Sequence, residues 1–177
     1  MSRLLSTSIN AEREHASLWW GVLNQLRISN ELPEWVRAKD IGSDADLQES
    51  LLERSIVNQA LFGVDEIQPG DDLDPCTYEC QSLIDLLELE RTRHLTWWTM
   101  LNEMRARKQL PEWVVTNRIG HGPDHERWSD KSAKVNQMLF GQSRVRHLAT
   151  QLRLPEGPRP RFSPAHSVGD SRELLIR

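Results

Sequence analysis

Leu32-Pro33-Glu34-Trp35-Val36 returns as Leu110-Pro111-Glu112-Trp113-Val114, and the offset of 78 between the two stretches decides how the chain must be read. The same offset relates Trp19-Trp20 to Trp97-Trp98, Ile41-Gly42 to Ile119-Gly120, Asn58-Gln59 to Asn136-Gln137 and Leu61-Phe62-Gly63 to Leu139-Phe140-Gly141. Residues 3–63 and 81–141 therefore align without a gap, with about a third of the positions identical. Self-similarity of this kind is the signature of a repeated supersecondary unit.

Each copy reads as helices. Ile9, Glu12, Ala16, Trp19, Leu23 and Leu26 follow the three-four spacing of one helical face, as do Leu87, Glu90, His94, Trp97, Leu101 and Met104. Pro33 and Pro111 suit the first position of a short helix, where a missing N–H costs nothing. Gly42 and Gly120 can close it, Asp46 and Asp124 are candidate N-caps of a third helix, and Glu49 can complete a capping box in the first copy. Gly63 and Gly141 are expected stops.

The expected fold is all-α: an internally duplicated pair of three-helix units about a pseudo-two-fold, packed through their tryptophan-bearing faces. Residues 1–64 form the first helical repeat, 65–80 an acidic linker with two prolines, and 81–142 the second repeat. Residues 143–153 form a C-terminal helix with Val145, Leu148 and Leu152 on one side. Residues 154–177, with four of the nine prolines, form an extended arm. A unit of about 60 residues is marginal alone, and pairing remedies that. Six of the seven tryptophans stand at matched positions and are read as framework.

Composition narrows the class. The 177 residues carry 22 Lys plus Arg, 26 Asp plus Glu and 38% hydrophobic residues, as expected of one water-soluble domain. No apolar run approaches a membrane span, and Met1-Ser-Arg-Leu-Leu lacks a signal-peptide pattern, so the expected address is the cytoplasm, with no membrane partner. Charge separates the halves: residues 1–78 hold six basic and fourteen acidic side chains, residues 79–177 sixteen and twelve. Copies so different in charge are expected to present different surfaces to a partner or to each other.

Glu12 and Glu90 fall on the apolar stripes and must find partners. Arg13, Arg91, Asn24, Asn102, Asn58 and Asn136 are expected to supply them in a structural polar network. Arg27 and Arg105 are also available. Glu12-x-x-His15 has the spacing by which helical bundles present ligands to a di-metal centre, with Glu90 and His94 a looser version, but Arg127 and Lys131 stand where the second copy's remaining glutamates should be. Cys76, Cys80, His121 and His125 have permissible zinc spacings but lack the usual two-residue interval between cysteines. No resident cofactor or metal is expected. The turn around Ala38-x-x-x-Gly42 invites comparison with a helix-turn-helix, and only the second copy, with Arg118, His121, His125, Arg127, Lys131 and Lys134, has charge suited to phosphate.

The function expected is therefore that of a non-catalytic interaction or adaptor protein whose partner is a protein or a second copy. Trp128, opposite Ser50 in the first copy, is the expected anchor, with Arg127, Lys131, Lys134, Arg118 and His125 around it. Nucleic-acid binding by the second repeat is the first alternative, and a carboxylate/histidine metal-dependent enzyme the second.

Overall fold

The computed structural model describes residues 3–71, 73, 75 and 80–141. The expected helix at 143–153, the proline-rich arm and Cys76 lie outside the described residues. Among the described residues every regular element is a helix: α1 (Arg3–Ile28), α2 (Glu34–Arg37), α3 (Asp44–Phe62), α4 (Cys80–Ala106), α5 (Glu112–Thr116) and α6 (Gly122–Phe140). None of these helices is long and apolar enough to cross a membrane.

All twelve positions of the two predicted stripes are buried, from Ile9 to Leu26 in α1 and from Leu87 to Met104 in α4. Their spacing puts them on one face of each helix, and the two faces meet where α1 packs on α4. The third helices are exchanged. Backbones come closest between α1 and α6 and between α3 and α4, so each long first helix carries the third helix of the other half of the chain. Within the first half, α1 and α3 are joined by long side chains across a cleft.

Two apolar clusters result. One gathers Trp19, Leu23, Leu26 and Val36 with Trp97, Leu101, Met104, Val114 and Trp128. The other gathers Leu5, Ile9, Val57 and Leu61 with Leu83, Leu87, Val135 and Leu139. Trp113 is the exception among the matched tryptophans, at 40% exposure. Its counterpart Trp35 is half-buried: Gln109 accepts from its Nε1 at 3.0 Å and the Arg107 guanidinium lies 4.2 Å from its ring centre.

The bends before α3 and α6 depend on glycine. Gly42 and Gly120 have φ of 77° and 74°, and each backbone lies against α1 or α4. A Cβ on Gly42 would come within 2.9 Å of the Leu23 backbone, and one on Gly120 would overlap the Leu101 side chain. The caps differ from expectation. Ser43 is the N-cap of α3, accepting from the Asp46 N–H at 3.2 Å, and His121 stands at the same place before α6 without a side-chain bond. Asp46 and Asp124 are freed for longer reach: each accepts the N–H of its bend glycine, at 3.0 and 2.9 Å. Glu49 pairs with Arg93 at 2.7 Å instead of closing a capping box.

Candidate functional site

Between the two apolar clusters lies a layer of buried charge. Arg13 on α1 donates to both oxygens of Glu90 on α4, at 2.6 and 3.2 Å, and Arg91 donates to both oxygens of Glu12, at 2.7 and 3.0 Å. Adjacent residues on a helix do not face each other, so Glu12 cannot take Arg13 and each pair must cross to the other long helix. Asn58 accepts from Arg13 Nη1 at 2.8 Å and Asn136 from Arg91 Nη1 at 2.6 Å. The backbone oxygens of Arg54 and Ser132 accept the Nη2 groups. The network predicted from the stripes is thus present in six of its eight members. Asn24 and Asn102 make no bond to it among the described residues, and Arg27 and Arg105 turn to the Ile41 and Ile119 carbonyls.

A second crossed set holds the tryptophan layer. Trp19 Nε1 donates to Asp124 at 2.5 Å and Trp97 Nε1 to Asp46 at 2.7 Å. Here the halves part. Beside Asp124 stands His15, Nε2 to Oδ1 at 2.8 Å, whose Nδ1 receives the Lys131 ammonium at 3.2 Å. Beside Asp46 stands Arg93, which also binds Glu49 and Glu53. Burial would raise the Asp124 pKa, but bonds from His15, the Gly120 N–H and Trp19 outweigh it and hold the carboxyl at about 2.

His94 replaces Ala16 of the first half and is buried, with neither ring nitrogen hydrogen-bonded among the described residues. Burial first, and the Arg54 guanidinium second, push its pKa down to about 3. The unfolded chain takes up a proton near pH 6.5 that the folded one refuses, so stability present above that pH is lost as pH falls toward 3. Urea titrations should show about 2 kcal/mol lost from this group between pH 7.5 and 5. His94→Leu, which removes the titrating ring, should flatten that interval; an unchanged slope would assign the loss to other groups.

The six residues expected to hold a partner are not brought together on a surface. Trp128 is 4% exposed, packed against Trp19 at 5.7 Å and His94 at 6.2 Å, and it is a core ring. It is buried because α6 lies on α1, which turns its face toward the Trp19 stripe. His125 is half-buried on Trp98, ring centres 4.5 Å apart, and Lys131 is tied to His15 and the Ala11 carbonyl. Arg118, Arg127 and Lys134 are exposed, but on α6 the exposed Glu126 and Asp130 interleave with the cations. A continuous basic stripe does not form on this helix.

The metal reading meets a chemical obstacle. Both oxygens of Glu12 and of Glu90 are committed to guanidinium groups, and no cluster of three His, Cys, Asp or Glu side chains suited to a metal occurs among the described residues.

No protein family, curated protein or solved structure matches the chain.

Two surface features flank α3, one toward α4 and one toward α1, and sequence reasoning missed both. Leu51, Leu52 and Ile56 are 44%, 63% and 40% exposed, and Leu89 of α4, 51% exposed, shares a hollow with Glu49, Glu53 and Arg93. On the other side of α3, toward α1, a cleft of about 730 Å³ is floored by Arg13 and Arg54 and flanked by Leu18 and Leu51. Their signal in the sequence was the difference between matched positions: Leu51, Leu52, Ile56 and Leu89 stand opposite Ser129, Asp130, Lys134 and Ala11.

Proposed function

We propose that the chain is a non-catalytic, cytoplasmic interaction or adaptor protein, built as a doubled three-helix unit about an approximate two-fold, and that its partner docks on the outer face of α3. The observation that carries this reading is the exposed apolar set Leu52, Ile56 and Leu89, where the other half places Asp130, Lys134 and Ala11. Isolated exposed leucines need no explanation, but exposed apolar residues on α3 and its neighbour α4, with Asp130, Lys134 and Ala11 at the matched positions, do. Exposed Asp44, Glu49 and Glu88 stand on the same two helices. That chemistry suits an amphipathic partner helix with apolar residues at three- and four-residue spacing and Lys or Arg at their edges.

Photo-crosslinking from position 52 in the native cell, with position 130 as control, should give one adduct, with the attachment site on a basic amphipathic segment. Grafting the matched residues, Leu52→Asp with Ile56→Lys, should abolish that adduct's complex while leaving the circular dichroism spectrum unchanged. A complex that survives the graft would remove this face from consideration. Salt-sensitive retention on heparin, lost on neutralising Arg127 and Lys134, would instead favour nucleic acid.

A further inference from the structure

The cleft between α1 and α3 holds a cation, Arg54, that the rest of the fold answers only in part. Arg13 and Arg91 each have a carboxylate of their own, whereas Arg54 only shares one: Glu90 Oε1 lies 3.9 Å from its Nε, beyond hydrogen-bond distance, and is already bound by Arg13. Glu53, the preceding residue, is taken by Arg93. Arg54 Nη2 donates to Ser17 Oγ at 3.0 Å, its buried Nε has no partner, and Nη1 makes no bond among the described residues. A guanidinium with only 16% of its side chain exposed has lost much of its hydration, and one shared carboxylate at 3.9 Å offsets that loss incompletely.

A purely structural duty for that side chain is hard to sustain. Position 132, 78 residues on, is serine, and its backbone oxygen accepts from Arg91 as the Arg54 oxygen accepts from Arg13, at 3.3 and 3.5 Å. The charge layer is therefore complete without a guanidinium at this position. Ser17 is equally particular to the first half, since the second half has Leu95 at the matched position. Arg54 and Ser17 thus form a donor pair in the floor of the cleft, with Leu18 and Leu51 as apolar walls.

We propose that this cleft binds a small monocarboxylate with a short branched or aromatic apolar body, its carboxylate received by Arg54 and Ser17 and its body by Leu18 and Leu51. The volume lies within the usual range for small-molecule sites, and Arg is suited to a carboxylate by its planar, paired donors. Exposed Glu14 and Glu66 at the rim select against a second negative charge on the ligand. The site is separate from the α3 face assigned to the protein partner, so either reading can fail without the other.

The test uses the full chain with 4-methylpentanoate and phenylacetate, their amides, and glutarate as the dianion, followed by amide resonances in 15N spectra. The two monocarboxylates should shift Ser17 and Arg54 saturably, while amides and glutarate bind at least about tenfold more weakly. Arg54→Ser, a residue that the matched position already carries, should weaken monocarboxylate binding by at least about tenfold with the fold intact, and Ser17→Ala by less. Arg54→Lys should keep part of the affinity and guards against a folding defect in the serine variant. No saturable shift up to about 10 mM, amides binding as well as acids, or a serine variant that binds normally would each overturn the proposal.

Discussion

Replacing Arg91 with methionine should destabilise the protein by about 3–5 kcal/mol in urea unfolding at neutral pH, because Glu12 would be left buried without the one cation that pairs with it among the described residues. Replacing Arg13 with methionine should cost clearly less. The carboxylate it abandons, Glu90, still has Arg54 at 3.9 Å, and a modest side-chain shift brings them together. Equal losses in the two variants would show that Arg54 does not answer Glu90. The paired replacement Glu12→Leu with Arg91→Met should recover most of the loss, since an apolar pair of similar volume needs no desolvation of charge. The layer would then be a device for register: of all the ways to slide α1 along α4, only one satisfies both crossed pairs.

Trp128→Ala should be nearly as damaging, at about 3–5 kcal/mol, because it opens a void between Trp19 and His94 that the surrounding helices cannot close. Trp113→Ala, at a ring 40% exposed, should cost less than about 1 kcal/mol. The contrast, read as denaturation midpoints, distinguishes a core ring from a surface one. Comparable losses would mean that Trp113 is covered in solution. A Trp128→Ala variant of undiminished stability would return that residue to the surface where the sequence had placed it.

The error over Trp128 shows what periodicity can and cannot carry. Its position on α6, four residues before Ser132 and seven before Val135, marks a buried face by spacing alone. Comparison with Ser50 suggested a gain of function, but Ser50 is fully buried too: the two matched helices bury the same face at very different volume. His94 against Ala16 shows the same bias, with a large residue on α4 where α1 has a small one. Such exchanges let two similar halves fill one interior without identical packing.

From sequence alone came the helices, their buried stripes, the glycine bends and the need for buried Glu12 and Glu90 to find cations, because these follow from spacing, backbone sterics and the cost of unpaired charge. Only the tertiary structure decided which helix answers which. The apolar stripes of the two halves are nearly alike, so hydrophobic pairing is almost indifferent to partner, and one-dimensional periodicity holds no record of it. The choice is made by directional contacts that require three dimensions: Arg13 to Glu90, Arg91 to Glu12, Trp19 to Asp124 and Trp97 to Asp46. The same exchange seats Trp128 against Trp19 and His94 and leaves Arg54 only a share of Glu90, and neither pairing can be read from spacing.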